Sequence, residues 1–386
     1  MMREIYLDCA ATTPVDPRVL AAMTECLERE HANPSSSHSA GRRARALVER
    51  ARAAVAERLG VPPATLVFTS GATESNNLAL AGMLAERGGE RAHLVTSRIE
   101  HKSVLDTAKA LERRGVEVTY VASDPNGRVP PDAIAAAIGP RTALVSIMHV
   151  NNETGVIQDI ERIAELCRER GVPLHVDAAQ SAGKLELPLA RWGVALCSLT
   201  AHKLHGPKGI GALYVRDGVP IAPLFHGGEQ ERSLRPGTLA THQIVGMGRA
   251  FELADPAAEA PRLAALRDRL AERLLALPGV RLNGAAAPRA PHIASVSFPG
   301  AEGESLLLAL DGVAVSQGSA CMADSPEASH VLTAMGLGDA LAQSTLRFSV
   351  GRFTTEDDVD EAAARVAAAL ARVRSLAAGA PAWCSA

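Results

Sequence analysis

Short apolar runs alternate with amphipathic segments between about residues 60 and 215. Runs such as TLVFTS (65–70) and TALVSIMHV (142–150) predict buried β-strands, and segments such as ATESNNLALAGMLAERG and DIERIAELCRER predict helices. This alternation is typical of βαβ units, which build a mostly parallel sheet. The runs VALCSLT (194–200) and IGALYV (210–215) are joined by a short loop, so we expect one antiparallel pair at a sheet edge.

A second apolar pattern begins after residue 250. The run AAEAPRLAALRDRLAERLLALPG predicts a long helix, and IASVSFP and STLRFSVG predict further strands. We therefore expect two domains, a large one over residues 15–250 and a smaller α+β domain formed by residues 1–14 and 251–386. No internal repeat or low-complexity linker interrupts this pattern.

Composition and charge restrict the kinds of function. The 386 residues are 47% apolar and 22% charged, which is typical of a soluble globular protein, and 40 basic residues nearly balance 43 acidic ones. Without a strong positive charge, we expect a small-molecule substrate and no direct binding of nucleic acid or of a membrane. The N-terminus lacks the layout of a secretory signal, and no apolar run is long enough for a membrane helix, so we expect a cytoplasmic protein.

The six cysteines are scattered along the chain without CxxC spacing. This distribution indicates neither a structural zinc site nor a disulfide framework, so no intrinsic metal is expected. Cys167 and Cys197 lie in apolar patterns and are expected to fill core space. Cys321 differs, because the stretch VSQGSACMADSP surrounds it with glycine, serine and alanine and offers little apolar surface to bury a thiol.

Polar residues follow several of the predicted strands, where an open α/β sheet binds its ligands. In TSGATESNN a glycine turn leads into a helix whose first amides, around Ala72 and Thr73, could hold a phosphate. His101 begins a helix in RIEHKSVLD, and Asn152 follows a strand in HVNNETG. Each of these three candidates could instead have a purely structural role. Ser and Thr in the TSGATESNN turn could cap the helix, His101 could be a helix cap, and Asn152 could be a loop residue.

Two further strand ends carry charged groups. Asp177 and Gln180 follow a strand in HVDAAQSAG, where the carboxylate could cap a helix or pair with a protonated pyridine nitrogen. Lys203 follows a strand in SLTAHKLHGPKG, where it could be a solvated charge or a Schiff-base residue with a lowered pKa. Lys208 lies near enough in the sequence to compete for the second role.

These motifs and their order resemble the cysteine desulfurases of the class V aminotransferase superfamily. Five further stretches share the resemblance: YLDCAATTPVDPRV, NPSSSHSAG, GGEQERSLRPGT, GSAC and RFSVGRFTTEDDVD. The resemblance covers about residues 6 to 374 and is strongest to the housekeeping iron–sulfur-cluster type. It implies the α/β fold of fold-type I pyridoxal phosphate enzymes, in which a large domain has a mostly parallel, seven-stranded sheet flanked by helices. The smaller α+β domain would carry the catalytic cysteine loop. The resemblance also implies a homodimer, pyridoxal 5′-phosphate as cofactor and L-cysteine as substrate.

The resemblance further implies a role for each candidate residue. Lys203 would hold the cofactor as a Schiff base and remove the Cα proton of the substrate, whereas Asp177 would keep the pyridine nitrogen protonated. Gln180 would bond the phenolic oxygen, and His101 would stack on the ring and take part in proton transfer. The phosphate would be held by Ala72, Thr73, Thr200 and His202, with Thr238 from the other subunit, and the substrate carboxylate by Asn152 and Arg347, of which Asn152 also contacts the cofactor.

In such an enzyme Cys321 would attack the substrate sulfur as a thiolate, leaving L-alanine and a persulfide on the protein. A nearby cation such as His101 or Arg347 would stabilise the thiolate. The 25 residues between Cys321 and Arg347 resemble the long-loop subtype, which hands sulfur directly to acceptor proteins such as an iron–sulfur scaffold. In that case Cys321 could also be a transient iron–sulfur ligand.

Two departures from the family pattern leave the sulfur acceptor open. Gln317 stands where the family often has serine, and the chain ends at APAWCSA, before the longer tail with which housekeeping members dock the scaffold. The sulfur could instead serve tRNA thiolation or a dedicated pathway. Alternatives for the activity are a selenocysteine lyase or related lyase that does not need Cys321, and a catalytically idle sulfur-relay protein. The complete motif around Lys203 argues against the idle protein.

Overall fold

The computed structural model describes residues 3–87, 92–318 and 328–379. Cys321 lies outside these described residues. The strands are β1 (Ile5–Tyr6), β2 (Leu66–Thr69), β3 (His93–Ser97), β4 (Glu117–Val121), β5 (Thr142–Met148), β6 (Leu174–Asp177), β7 (Leu196–Thr200), β8 (Gly211–Val215), β9 (Arg281–Leu282), β10 (Ile293–Ser297), β11 (Val313–Ala314) and β12 (Thr345–Ser349). The helices are α1 (Pro17–Arg29), α2 (Ser39–Leu59), α3 (Ala72–Asn77), α4 (Met83–Arg87), α5 (Lys102–Glu112), α6 (Pro131–Ala137), α7 (Ile160–Glu169), α8 (Leu189–Trp192), α9 (Thr241–Glu252), α10 (Pro256–Leu275), α11 (Gly303–Ala309), α12 (His330–Ala334), α13 (Asp339–Gln343) and α14 (Glu356–Gly379).

Seven strands form the large sheet, in the order β2-β8-β7-β6-β5-β3-β4. The neighbours from β7 to β4 are parallel, whereas β8 is antiparallel to both β7 and β2. The inner strand β5 is buried along its whole length, as a strand covered on both faces must be, while the edge strand β4 is partly exposed. The predicted α/β fold with a mostly parallel, seven-stranded sheet is confirmed.

The β7–β8 pair differs from the prediction in its position. The two strands are antiparallel, as the short loop between them predicted. The pair is not at the edge of the sheet, because β2 pairs with the other side of β8, with Phe68 opposite Ala212. Since β2 and β8 are far apart in the chain, no local pattern indicates this pairing.

Apolar side chains of the large sheet point alternately to its two faces, and helices cover both. In β5, Leu144 belongs to the cluster formed with α4 and α5, and Val145 to the cluster formed with α2, α7 and α9. Burial of each such side chain contributes roughly 1.5–3 kcal/mol. The sheet is therefore a rigid platform whose strand ends can hold polar groups in place.

Both ends of the chain contribute to a third apolar cluster. It combines Ile5 and Leu7 with residues of α10, α11, β10, β12 and α14. Strand β10 lies between β9 and β12 in an antiparallel three-stranded sheet, and β1 pairs with β11. The domain boundary expected near residue 250 stays a prediction. None of the helices in the described ranges is long and apolar enough to cross a membrane.

Candidate active site

A cavity of about 470 Å³ opens at the carboxyl ends of the parallel strands. Met148 ends β5, Asp177 ends β6 and Thr200 ends β7, and all three line the cavity, as expected for ligand sites of open α/β sheets. Of the residues assigned to the cofactor and the substrate, the structure brings together Ala72, Thr73, His101, Asn152, Asp177, Gln180, Thr200, His202, Lys203 and Arg347.

Asp177 is buried, and two donors hold its carboxylate. Oδ1 accepts a hydrogen bond from the Ala179 N–H at 2.9 Å, and Oδ2 accepts one from Asn76 Nδ2 at 2.8 Å. The chain after Asp177 forms turns and no helix, so the carboxylate is not a helix cap. Its fixed orientation at the cavity suits a protonated nitrogen. Asn76, in α3, was missed by sequence reasoning because nothing local distinguishes it from a solvated helix residue.

Two histidines of the cavity are uncharged at pH 7. Burial, with the positive charge of Lys203, lowers the pKa of both His101 and His202 to about 4. His101 also caps α5, since its Nδ1 accepts the Ser103 N–H at 3.1 Å, and its proton therefore lies on Nε2. The histidine is thus a helix cap and a cavity residue at once. Of the two cations considered for Cys321, His101 is therefore uncharged at pH 7.

Thr200 has a buried hydroxyl without a hydrogen-bond partner among the described residues. A Cβ on Gly71 would lie 3.9 Å from this hydroxyl oxygen, so the absence of a side chain at Gly71 keeps the space open. A buried polar atom without a partner is costly, and a phosphate oxygen would satisfy this one. The first amides of α3, at Ala72 and Thr73, border the same space. These groups fit a phosphate.

Three lysines lie at or near the cavity. Lys203 is half-buried beyond β7, whereas Lys208, its competitor in the sequence, is exposed. Lys184 is buried, and its Nζ donates to the Lys203 carbonyl oxygen at 2.6 Å. Burial, followed by the charge of Lys203, lowers the pKa of Lys184 to about 7. Lys184 therefore holds the main chain of Lys203, a role that sequence reasoning missed.

Arg347 reaches the cavity from β12 of the three-stranded sheet. Its Nη1 donates to the Asn152 carbonyl oxygen at 2.8 Å, and its Nη2 donates to Asp8 Oδ1 at 2.9 Å. Within this pair of residues, Arg347 Nε and Asn152 Oδ1 are buried and have no partner among the described residues. The arginine and the asparagine thus have hydrogen-bonding capacity left for a ligand. Asp8, which orients the guanidinium, was not among the predicted residues.

Thr238 is exposed and does not line this cavity. It follows residues 231–233, which have positive φ without being glycine, a conformation that costs about 1–2 kcal/mol per residue. The Glu231 carboxylate anchors this loop by accepting from Arg52 Nη2 at 2.6 Å and from the Phe68 N–H at 2.7 Å. A second cavity, of about 560 Å³, lies beside this buried ion pair. The anchored loop thus holds Thr238 at an exposed position that does not line its own chain's cavity.

Glu153 contacts both segments that flank residues 319–327. The Ser329 hydroxyl donates to the Glu153 carboxylate, and a Cβ on Gly318 would lie 3.3 Å from Glu153 Oε2. Glu153 is buried next to Asn152. The described segments on either side of Cys321 therefore end beside a neighbour of the cavity, while Cys321 itself lies outside the described residues.

Comparisons with known proteins agree with this architecture. The family described as Aminotransferase class-V matches residues 5–362 of the chain. The cysteine desulfurases IscS of Azotobacter vinelandii and of Pseudomonas aeruginosa (strain UCBPP-PA14) are 52% and 51% identical to it, and each alignment covers 99% of this chain and 96% of the relative.

Two solved structures extend the comparison to the fold. A NifS-like protein superposes with a TM-score of 0.89 at 38% identity, covering 96% of this chain and all of its own. A structure titled SspA in complex with cysteine superposes with a TM-score of 0.82 at 40% identity, covering 91% of this chain and 99% of its own. The chain therefore belongs to the class V aminotransferase family and, within it, to the cysteine desulfurases.

Proposed function

We propose that this chain is a pyridoxal phosphate-dependent cysteine desulfurase, which converts L-cysteine to L-alanine and receives the sulfur as a persulfide on Cys321. The observation that carries the proposal is a single cavity that combines a lysine, a buried carboxylate, an unpartnered threonine hydroxyl and an arginine. Relatives named cysteine desulfurase, about 51% identical over nearly the whole chain, support it.

The residues of the cavity fit pyridoxal phosphate. Thr200, with the amides at Ala72 and Thr73, would hold the phosphate, Asp177 would pair with the pyridine nitrogen, and Lys203 would bind the aldehyde carbon. When bound, the cofactor supplies a conjugated ring that accepts the electron pair left when the substrate loses its Cα proton.

Lys203 moves the proton of the reaction. Its Nζ takes the proton from the substrate Cα, and the main chain that carries it is held by Lys184 Nζ. His101 borders the same space as a neutral ring with its proton on Nε2. It can therefore pack against a flat ligand and donate a hydrogen bond without adding charge.

Arg347 and Asn152 orient the substrate by its carboxylate. The guanidinium is held on two sides, by the Asn152 carbonyl oxygen and by Asp8, so little rotational freedom is lost when a ligand binds. A carboxylate would use the unpartnered Nε and the positive charge. The substrate Cα is then placed between Arg347 and Lys203.

Cys321 performs the sulfur transfer. Its thiolate Sγ attacks the substrate Sγ, so that the new S–S bond forms as the substrate Cβ–Sγ bond breaks. The electron pair of the broken bond stays with the carbon fragment, which takes up one proton at Cβ, regains the Cα proton from Lys203 and leaves as L-alanine. The thiolate requires a nearby positive charge. His101 is neutral and cannot provide it, so we assign this role to Arg347.

We further propose that the enzyme is a homodimer of two-domain subunits in the cytoplasm, with Thr238 completing the phosphate site of the partner subunit. Thr238 lies exposed beside the anchored loop around Glu231 and does not line its own chain's cavity, which supports this arrangement. The persulfide would pass to an acceptor protein, such as an iron–sulfur scaffold. A carrier for tRNA thiolation is the alternative acceptor.

Replacing Lys203 and Cys321 separately tests the proposed function. Lys203→Ala should abolish the absorbance of the lysine-bound cofactor, whereas the matched control Lys208→Ala should retain it. Cys321→Ser should keep this absorbance but form no alanine from L-cysteine. Full alanine formation by Cys321→Ser would contradict the persulfide mechanism, and retained activity with selenocysteine alone would favour a selenocysteine lyase.

A further inference from the structure

His292 is a fully buried side chain that contacts a cofactor-site residue without lining the cavity itself. Its Nε2 lies 3.2 Å from Gln180 Oε1, and its Nδ1 has no hydrogen-bond partner among the described residues. The histidine directly precedes β10, and its carbonyl oxygen accepts the Val350 N–H at 3.0 Å. The ring is therefore held by the same small sheet that carries Arg347.

The contacts of Gln180 determine which tautomer His292 adopts. Gln180 Nε2 donates to the Ala10 carbonyl oxygen at 2.8 Å, which assigns the amide nitrogen to that side. The oxygen Oε1 is then the atom that faces His292, and an oxygen can only accept. His292 must therefore donate from Nε2, which leaves Nδ1 without a proton.

The surroundings keep His292 in this neutral form. Complete burial, together with the positive charges of Lys184, Arg267 and Arg347, holds its pKa well below the usual 6.5. A second proton on Nδ1 would be a buried charge without a partner. The contact with Gln180 is thus present across the neutral and alkaline range.

Two hydrogen bonds favour the same orientation of the Gln180 side-chain amide, one to the Ala10 carbonyl oxygen and one from His292. If the amide rotated by 180°, its oxygen would face the Ala10 carbonyl oxygen and its NH₂ group would face the His292 N–H. The first contact would then be repulsive, and the second would lose its hydrogen bond unless the proton moved from Nε2 to Nδ1 of His292, where no acceptor is present among the described residues. With the present orientation fixed, the Gln180 amide keeps one further N–H for the cavity that its side chain lines.

We propose that His292 is a positioning residue for the cofactor, which holds the Gln180 amide so that an N–H is directed to the phenolic oxygen of the pyridine ring. This proposal rests on the proposed function. Negative charge on that oxygen stabilises the proton on the neighbouring lysine-bound nitrogen. The donor neutralises part of this charge and therefore lowers the pKa of the nitrogen. Without the donor that nitrogen becomes more basic.

The test compares His292→Leu, which lacks a donor, with His292→Gln, which places an amide donor at a similar distance. In the holoenzyme, the pH titration of the cofactor absorbance reports the pKa of the lysine-bound nitrogen. His292→Leu should raise this pKa by about 0.5–1 unit, the equivalent of one neutral hydrogen bond. His292→Gln should leave it within about 0.3 unit of the wild type, roughly 0.4 kcal/mol.

A second comparison separates positioning from a general structural effect. In a Gln180→Leu background, His292→Leu should cause no further shift of this pKa, because the group through which it acts is gone. A further shift in the double variant, or an unchanged pKa in His292→Leu alone, would overturn the proposal. If the wild type itself forms no cofactor absorbance, the proposed function fails, and this inference fails with it.

One measurement reads the tautomer of His292 in the wild-type enzyme itself. The ¹⁵N NMR spectrum of histidine-labelled enzyme, with the His292 signals assigned by their absence in His292→Gln or in any other folded His292 variant, should show a protonated Nε2 and a bare Nδ1 from pH 6 to 9. A proton on Nδ1 with a bare Nε2 would contradict the required donor and overturn the proposal.

Discussion

The two sides of the active site are built in different ways. On one side, Asp177, Thr200 and Lys203 lie at or just beyond the ends of neighbouring strands of the large sheet. On the other side, Arg347 and His292 come from the three-stranded sheet and contact residues 195 and 112 positions away in the chain. The side that holds the cofactor thus follows from strand order alone, whereas the side that holds the substrate depends on how two parts of the chain pack together.

This difference predicts separable defects. Substitutions at the ends of the large sheet should impair the chemistry of the cofactor. On the other side, substitution of Arg347 should impair substrate binding while the cofactor absorbance remains, whereas His292 acts on the cofactor through its contact with Gln180.

Asp177→Asn should cause the largest loss. Asparagine retains the shape of the side chain and an acceptor for Asn76, but it lacks the charge that would keep the pyridine nitrogen protonated. We expect kcat/KM to fall by about 10³-fold, mainly in kcat, as when a preorganised electrostatic group is removed from a transition state. Steady-state alanine formation and the cofactor absorbance, which should persist, measure this. A fall confined to KM would contradict the assigned role.

Arg347→Lys should cause a smaller loss of kcat/KM, through KM where Asp177→Asn acts through kcat. Lysine keeps the charge but cannot contact Asp8, the Asn152 carbonyl oxygen and a carboxylate together. We expect kcat/KM for L-cysteine to fall by about 10²-fold, mostly through KM. The pKa and intensity of the cofactor absorbance should stay as in the wild type. Arg249→Lys, at a half-buried position outside the cavity, is the matched control. A cofactor absorbance lost in Arg347→Lys would contradict the proposed separation of the two sides.

The same difference explains how far sequence reasoning reached. Asp177 and Lys203 could be predicted as candidates because the carboxyl ends of parallel strands converge on one edge of a sheet, whereas the role of Thr200 came from the resemblance. Arg347 was reached only through resemblance to a family, since its spacing alone does not relate it to the large sheet. His292 and Asp8 were missed, because each acts through a contact with a residue more than a hundred positions away.

The placement of β8 was missed for the same reason. The short loop correctly predicted an antiparallel β7–β8 pair, but the pairing of β2 with β8 joins distant segments. Roles that depend on the protonation state were also not predictable. His101 reads as a cation in the sequence, yet burial and the charge of Lys203 leave it neutral.

Lys184 lies where the two sides meet, and its effect on stability should depend on pH. Its Nζ donates to the Lys203 carbonyl oxygen, and the charges of Glu259 and Arg352 also act on it. Its pKa is about 7 in the folded protein and near 10.5 in the unfolded chain. Below pH 7 both states bind the proton, whereas between pH 7 and about 10.5 only the unfolded state does, so rising pH favours the folded protein in this window.

Lys184→Met removes this contribution and tests its sign. The free energy of unfolding of the wild type, minus that of Lys184→Met, should increase with pH between 7 and 10 by up to about 1.4 kcal/mol per pH unit. Thermal or urea unfolding of the holoenzymes over this range measures the difference, with the exposed Lys208→Met as a control that should show no such slope. A difference that stays flat between pH 7 and 10 would mean that Lys184 keeps its proton in the folded protein. It would then act on Lys203 as a fixed cation, and the two sides of the site would be coupled by charge.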